Sequence, residues 1–360
     1  MILFLLIFAL VLYIVQQYSL EHGLDGVTLK TVLGKTVVEP GEEFPWTVTV
    51  VNRKRMMVPY LRVKEQAPEE LLYAGSGVSV LDKKSSEASS VLYLAGRQRT
   101  EVTRDVILTK RGRYFFRGAS VEAGDFLGLQ TRTKSYTELE EIVVKPAPCP
   151  AKELSTLLGG FLGEYAVRNS LLEDPVLSIG FREYTGREPF RAISWTQSAK
   201  YGRLLVKQYE CTADLSCQIL LNMDRGQTHI EGEDAQTAAL IERCFSMVRS
   251  VCEELERKKI PYGFRTNGII AGAVGNWKQV EDGLGGAHLE TVLEGLGRMT
   301  HERQEIMDEF MRKVRKGVQG SESFIVVTPV REPRIEALVQ SLEERCGNHV
   351  LFLCADEMEG

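Results

Sequence analysis

The segment from Gly180 to Lys207 concentrates arginine, aromatic and turn residues, and this chemistry is suited to recognition. Arginine pairs bidentately with carboxylates and stacks on aromatic rings. We therefore expect a partner-binding surface anchored by Arg182, Arg191 and Trp195. The alternative is an ion-paired extended segment that fixes one domain against the other. The residues that carry either role are Arg182, Tyr184, Glu188, Arg191, Trp195, Lys200 and Arg203.

The histidines show no catalytic or metal-binding pattern. No two of the five have metal-ligand spacing. Asp224 and His229 are near each other in sequence and suggest a hydrolase, but no nucleophile–base set completes such a site. The chain is therefore expected not to be an enzyme.

Composition excludes several classes of protein. A length of 360 residues suggests two domains, and the net charge of −5 has both signs scattered along the chain. A nucleic-acid binder would concentrate basic residues on one face. The seven cysteines are odd in number and form no C-x-x-C pair, which argues against a disulfide framework or a zinc site. Reduced core cysteines in a reducing compartment are expected.

The N-terminus is apolar. Met1 to Val15 contains no polar residue other than Tyr13, and the first charge is Glu21. About 20 helical residues span the roughly 30 Å hydrocarbon core of a bilayer. A cleaved signal peptide would need a positive region and a small-residue cleavage site, and neither is present. Residues 1–20 are therefore predicted to be an uncleaved, single-pass anchor in the cell membrane. Lys30 and Lys35 follow the run, which places the bulk of the chain in the cytoplasm.

Two patterns follow the anchor. Residues 25–146 read as short alternating strands broken by turns, which predicts an antiparallel β-sandwich. Residues 147–177 read as a linker, beginning with a proline-rich stretch. Residues 178–360 alternate apolar strands with amphipathic helices, which predicts a parallel α/β sheet. One predicted helix, Asp234–Lys258, carries a continuous apolar face, and another covers Glu302–Val318.

The arginine-rich segment resembles domain-of-unknown-function family 58. The resemblance is carried by Arg182-x-Tyr184, Arg191-x-Ile193-x-Trp195, Ser198-Ala199-Lys200 and Gly202-Arg203-Leu204, with further matches at Arg111-Gly112-x-Tyr114, Asp125–Leu129 and Ile142–Pro146. The family often has a Gly-Asp pair where this chain has Arg187-Glu188, so Glu188 stands in for the acid. The resemblance implies a membrane anchor, a sandwich and a von Willebrand factor A-like C-terminal domain.

That resemblance also suggests a cation site. A-domains bind Mg²⁺ through an Asp-x-Ser-x-Ser loop, because hard cations prefer oxygen ligands. The corresponding stretch here is Asp224-Arg225-Gly226-Gln227-Thr228. Asp224 and Thr228 are the candidate ligands. Gly226 has no side chain, so one ligand of the loop is missing, and the positive charge of Arg225 should weaken cation binding. The site is therefore expected to be degenerate, and the alternative is a strand-end aspartate that caps the next turn.

The leading expectation is a membrane-anchored scaffold or adaptor that binds a protein partner. Because members of the family occur beside a MoxR-type AAA+ ATPase, the resemblance implies that ATPase as a partner, in the assembly or maturation of other proteins. The alternative is a protein-binding domain that depends on a divalent cation such as Mg²⁺. If Trp195 is a core anchor, its replacement by alanine should cost about 3–5 kcal/mol. If it is a surface anchor, the fold should survive and only partner capture should fail.

Overall fold

The computed structural model describes residues 2–74, 87–125, 129–150, 152–171, 178–186, 190, 193–209, 216–224, 234–272, 279–317, 322–346 and 349–358. The chain forms two units. The first comprises Met1–Ala147 and Leu296–Arg298, and the second comprises Pro148–Gly295 and Met299–Gly360.

The predicted apolar N-terminal helix is present as α1 (Ile2–His22). By length and composition, Leu3–His22 is able to cross a membrane, with a mean hydropathy of 2.1. A signal sequence near the N-terminus passes the same test. The apolar part of this helix is exposed, with Leu3 at 72% and Phe4 at 73%.

The C-terminal end of α1 is held by the rest of its unit. Lys54 Nζ donates to the carbonyl of His22 at 2.6 Å, and Arg132 donates to the carbonyl of Glu21 at 2.8 Å. Positive side chains are favourable there, because the last carbonyls of a helix have no intrahelical donors. Gln16 Nε2 also donates to the buried carboxylate of Asp125 at 2.9 Å.

The first unit is built from short strands, as predicted. They are β1 (Val27–Leu33), β2 (Val37–Val38), β3 (Glu43–Asn52), β4 (Val58–Gln66), β5 (Leu72–Tyr73), β6 (Glu87–Leu94), β7 (Arg99–Ile107), β8 (Gly112–Phe116), β9 (Ala119–Gly124), β10 (Thr131–Tyr136) and β11 (Glu140–Val144). Two four-stranded antiparallel sheets have the orders β1-β3-β7-β5 and β10-β9-β4-β6. A smaller sheet has the order β2-β11-β8.

One hydrophobic core serves both large sheets. Alternate residues of β3 are buried, including Phe44, Trp46 and Val48, and they join Leu61 of β4 and Val121 of β9 in the same cluster. The period of two follows from the pleat, which sends successive side chains to opposite faces. The antiparallel β domain predicted from the sequence is therefore confirmed at this level.

The remaining elements are a mixture of helices and strands. They are α2 (Lys152–Leu171), β12 (Ser178–Glu183), α3 (Trp195–Tyr201), β13 (Leu205–Tyr209), β14 (Cys217–Leu221), α4 (Asp234–Lys258), β15 (Tyr262–Thr266), β16 (Gly268–Ile270), β17 (Gln279–Gly283), α5 (Gly286–Arg298), β18 (Met299–Arg303), α6 (Met307–Gly317), β19 (Ser323–Thr328), α7 (Pro333–Cys346) and β20 (Val350–Cys354).

A five-stranded sheet with the order β17-β15-β14-β19-β20 organises the second unit. Four of its strands are parallel, whereas the edge strand β17 is antiparallel to β15, so the sheet is mixed rather than wholly parallel. Leu220, Phe324 and Val326 pack with α6 and α7 on one face. The predicted apolar face of α4 is fully buried, and this helix contacts β14 and β19.

The structure differs from two sequence-based boundaries. Part of the predicted linker, residues 147–177, is the helix α2, which buries Leu154, Leu158 and Phe161. Their spacing of four and three residues is helical, and the surrounding glycines and charges obscured it. The helix predicted over Glu302–Val318 begins only at Met307, because Met299–Arg303 pairs with β16 as a strand.

The buried cysteines are consistent with the predicted core role. Cys217, Cys244, Cys252 and Cys354 are free and buried. Burial raises the pKa of each of these thiols, to about 12 for Cys354. A thiol with a raised pKa is a poor nucleophile at neutral pH.

Candidate functional site

The arginine-rich segment forms a hairpin of β12 and β13 with α3 between them. β12 and β13 pair antiparallel, and Ile193 bridges to Val206. Ser198 joins the helix to β13, because its buried hydroxyl oxygen accepts the Leu205 N–H at 2.9 Å. Gly202 ends α3 with a φ of 69°, a left-handed conformation that favours glycine.

This packing leaves the large side chains of the segment outside. Trp195 is 63% exposed and Phe190 is 71% exposed. Isolated exposed apolar residues are ordinary, but this short stretch has several large ones. We use the name aromatic surface for the five large exposed side chains of this segment, four of which are aromatic: Phe181, Phe190, Trp195, Tyr201 and Leu204.

The aromatic surface lies in a positively charged stretch. Residues 178–209 contain six basic and two acidic residues, a net charge of +4, whereas the whole chain carries −5. Arg203 pairs with Glu183 in the open, with their side chains 60% and 63% exposed. Such exposed pairs contribute little to stability.

The structure describes five of the seven predicted site residues: Arg182, Tyr184, Trp195, Lys200 and Arg203. Arg182 and Lys200 are exposed, and Lys200 Nζ lies 5.7 Å from the ring centre of Tyr201. The ring centre of Tyr184 is 6.0 Å from that of Phe190. Glu188 and Arg191 lie outside the described residues. Sequence reasoning did not single out Phe190 and Tyr201, although their proximity to Trp195 was a usable signal.

Asp224 follows β14 at the carboxyl edge of the five-stranded sheet. Its side chain is 12% exposed, and its Oδ1 accepts a hydrogen bond from the guanidinium of Arg303. Its Oδ2 accepts the N–H of Met307 at 3.4 Å, at the first residue of α6. A carboxylate is favourable at a helix N-terminus because the first N–H groups lack partners.

A buried network of polar side chains holds the backbone at Met223 and Asp224 in position. The side-chain oxygen of Asn222 accepts the Asp224 N–H at 2.9 Å and a hydrogen bond from Asn267 Nδ2 at 3.0 Å. Asn267 Oδ1 accepts the Met223 N–H at 2.7 Å. Asn222 Nδ2 donates to Thr328 Oγ1 at 3.1 Å. Sequence reasoning missed this network, although each asparagine follows the end of a parallel strand.

A cavity of about 300 Å³ opens beside Asp224, and we call it the strand-end pocket. Open α/β sheets bind ligands beyond the carboxyl ends of their strands. The lining combines two arginines, two acids and apolar side chains: Asp224, Arg303, Ile306, Met307, Glu332, Arg334, Ile335 and Leu338.

The described residues do not fit a divalent cation at Asp224. Both of its carboxylate oxygens accept hydrogen bonds from protein donors, one of them the cationic guanidinium of Arg303. Among the described residues, no group of three or more His, Cys, Asp or Glu side chains is placed to hold a metal. Thr228 and His229 lie outside these residues, so the Mg²⁺ ligand pair and the hydrolase pair stay predictions.

Comparison with known proteins gives distant similarities. No protein-family model matches the chain. It is 22% identical over 222 residues to the uncharacterized protein YeaD of Bacillus subtilis, covering 60% of this chain and 50% of YeaD. The matched region thus spans about half the length of that curated relative.

Solved structures resemble parts of the chain weakly. The CARDB domain of the PF1109 protein from Pyrococcus furiosus, in complex with di-metal ions, is 15% identical with a TM-score of 0.22, covering 33% of this chain and 91% of that one. Native alpha-2-macroglobulin from Escherichia coli is 18% identical with a TM-score of 0.26, covering 34% of this chain and 17% of that one. Scores this low carry no functional argument.

Proposed function

We propose that this protein is a membrane-anchored adaptor that binds a protein partner through the aromatic surface. The observation that carries the proposal is the exposure of Trp195, at 63%, on a hairpin that α3 and β13 hold in place. Tryptophan and arginine are the residues most enriched in interface hot spots. An exposed tryptophan in a stretch of net charge +4 suits an acidic protein surface.

The proposal extends to the family and the partner. The motifs at Arg182–Tyr184, Ile193–Trp195 and Gly202–Leu204 support membership of domain-of-unknown-function family 58. The mixed sheet with helices α4, α6 and α7 supports a von Willebrand factor A-like second domain. On this basis a MoxR-type AAA+ ATPase is the first partner to test, in the assembly or maturation of other proteins. The protein would then act without catalysing a reaction itself.

The partner proposal is tested by Trp195→Ala. Loss of a hot-spot tryptophan weakens binding by about 2 kcal/mol or more, roughly 30-fold. We therefore expect partner recovery to collapse when the full-length protein is crosslinked in native membranes, captured and analysed by mass spectrometry. The melting temperature should not change, because the side chain lies outside the core.

Tyr93→Ala is the matched control for that experiment. Tyr93 is also an aromatic residue, 55% exposed, but it lies on β6 of the first unit. Its variant should recover partners as the wild type does. Equal recovery by the wild type and Trp195→Ala would contradict the proposal.

We also propose that α1 stays attached as a single-pass anchor with the rest of the chain in the cytoplasm. The contacts of Lys54 and Arg132 with the end of α1, and the hydrogen bond from Gln16 in α1 to Asp125, support this, because cleavage within the last turns would remove them. The exposed residues of the first turns need an apolar environment, which a bilayer supplies.

Membrane extraction tests the anchor. We expect the wild-type chain to remain in the pellet after alkaline carbonate washing, with an intact mass that includes α1. Leu10→Arg places a charge mid-helix at a cost of about 2.5–3.5 kcal/mol, and should shift the protein toward the soluble fraction. Added protease should digest the body only after cells are lysed. A mass lacking the first helix, or digestion in intact cells, would refute the anchor or its orientation respectively.

A further inference from the structure

The helix α1 is longer than its apolar part, and its last turns are packed against the first unit. The residues from Ile2 to Val15 extend about 21 Å, whereas the hydrocarbon core of a bilayer is about 30 Å thick. For α1 to span a bilayer, its last turns must therefore lie at the membrane boundary. In these turns Ser19 is buried, and a Cβ at Gly23 would lie 3.8 Å from the Cβ of Ala123 in β9. The end of the first unit that surrounds α1 is thus brought to the membrane surface.

Two connections of the first unit are joined at that end, one from β3 to β4 and one from β6 to β7. The fully buried Asn52 links them, because its Nδ2 donates to the carbonyls of Met56 and Ala95 at 2.9 Å each. The N–H of Arg97 also donates to the carbonyl of Lys54 at 2.8 Å, and Lys54 binds the end of α1. These hydrogen bonds fix both connections beside the anchor.

The two connections display three arginines. Arg53, Arg55 and Arg97 are exposed, and among the described residues no acceptor contacts their guanidinium groups. Arg97 has a φ of 60°, in the left-handed region that glycine adopts at lower cost. A turn that carries a charged side chain in a strained backbone conformation is the kind of outlier that clusters at ligand contacts.

The acids at this end do not cancel the positive charge. Residues 21–26, 53–57 and 95–98, counted with Asp125 and Arg132 beside α1, contain five basic and three acidic residues, a net charge of +2. Asp25 interacts electrostatically with Lys54, and Asp125 is buried. The three arginines of the two connections therefore keep their charge for a ligand outside the protein.

An exposed leucine lies beside the same helix. Asp125 accepts a hydrogen bond from Gln16 Nε2 through Oδ2 and one from the Leu129 N–H through Oδ1, both at 2.9 Å. Gln16 is the first residue after the apolar run that ends at Val15, so Leu129 is held close to the boundary of that run. Leu129 is 71% exposed. The apolar boundary of a bilayer would bury this side chain.

We propose that Arg53, Arg55, Arg97 and Leu129 form a lipid-binding surface that seats the first unit on an anionic membrane leaflet. The arginines bind the phosphate groups of anionic headgroups, and Leu129 enters the apolar boundary beside α1. The inference rests on the proposed anchor and its cytoplasmic orientation, and it adds the surface that fixes the first unit against the bilayer. Each arginine near such a leaflet strengthens the association about fivefold.

Hydrogen exchange of the full chain in nanodiscs tests the surface. The discs contain phosphatidylcholine alone or with about 30% phosphatidylglycerol, and mass spectrometry follows the amides of residues 53–57 and 95–98. We expect exchange to be at least roughly fivefold slower in the anionic discs. The difference should vanish at about 1 M salt, where the screening length is about 3 Å.

Three results of that experiment would overturn the proposal. The first is equal exchange in neutral and anionic discs. The second is equal slowing in neutral discs by added inorganic phosphate, which would show that a bilayer is not required. The third is equal slowing in neutral discs by poly-glutamate at the same concentration of negative charge, which would assign the arginines to an acidic protein.

Paired variants locate the charge in the same measurement. Arg55→Gln/Arg97→Gln should abolish most of the slowing, because two arginines together contribute about 25-fold. Arg53→Gln/Arg55→Gln leaves the left-handed turn unchanged, so it keeps the test valid if the first pair does not fold. The control is Lys110→Gln/Arg117→Gln, which removes the same charge from exposed residues after β7 and before β9, at the opposite ends of these strands. Equal slowing in the control and in both arginine pairs would refute the assignment.

Tryptophan fluorescence locates Leu129. In discs that contain brominated phosphatidylcholine, Leu129→Trp should lose more emission than the wild type, because bromine in the bilayer quenches a nearby indole. Leu139→Trp is the control and should match the wild type. Leu139 is similarly exposed, at 66%, but β10 separates it from Leu129 by about 20 Å. Equal quenching of the two variants would contradict the apolar contact.

The anchor and the lipid-binding surface fail separately. An intact mass from cells that lacks α1 would refute the anchor, whereas the disc experiments use the uncleaved chain and still report on the surface. Retention of α1 in carbonate-washed membranes, together with equal exchange in neutral and anionic discs, would refute the surface and leave the anchor standing.

Discussion

Replacing Trp46 with alanine is expected to lower the free energy of unfolding of the first unit by about 3–5 kcal/mol. Trp46 is 1% exposed, and its ring meets Phe116 edge-on with centroids 4.9 Å apart. Its removal leaves a cavity between the two antiparallel sheets, where neighbours relax only partly. By contrast, Trp195→Ala is expected to change stability by less than about 0.5 kcal/mol.

Hydrogen exchange measured by mass spectrometry separates these outcomes within the full chain. In Trp46→Ala, peptides from β3 and β7 should exchange faster by the factor that corresponds to the lost stability. Peptides from β14 and β19 should keep their wild-type rates. Similar losses in Trp46→Ala and Trp195→Ala would contradict the assignment of one tryptophan to the core and the other to the surface.

Replacing Arg104 with glutamine is expected to cost about 3–5 kcal/mol at neutral pH, the usual effect of breaking a buried ion pair. Arg104 donates to Glu65, whose side chain is fully buried. One carboxylate oxygen of Glu65, Oε1, already has no hydrogen-bond partner among the described residues. Without Arg104 the charge of Glu65 would be buried without compensation. The control is Arg99→Gln on the same strand, because Arg99 forms an exposed pair with Glu101 and should cost at most about 1 kcal/mol.

The cost of Arg104→Gln should depend on pH. Burial raises the pKa of Glu65 above its ordinary value even though Arg104 lowers it. The folded state therefore holds the Glu65 proton more tightly than the unfolded state, and this group's contribution to stability falls as pH rises above about 4.3. Removing Arg104 raises that pKa further. The difference between variant and wild type should thus shrink as pH falls toward 4.3, in denaturant titrations that follow the first unit by Trp46 fluorescence, with Trp195 and Trp277 replaced by phenylalanine in both proteins. A pH-independent difference would show that Glu65 is not the cause.

The sequence by itself determined which segments are apolar and with what period. The run before Glu21 requires a nonaqueous environment, and the period of two in Phe44–Val51 requires a strand with one buried face. The apolar face of Asp234–Lys258 likewise identified a helix packed on one side. These features follow from local spacing, so no long-range contact was needed to predict them.

Only the tertiary structure decided which polar groups meet. Arg303 and Asp224 are separated by 79 positions in the chain, and Asn222 and Asn267 by 45. Their pairing depends on the register of parallel strands and on where α6 begins, which a single sequence does not encode locally. For the same reason the sequence left open whether Trp195 is a core or a surface residue. Its exposure depends on how α3 packs on β13, where Ser198 accepts the Leu205 N–H.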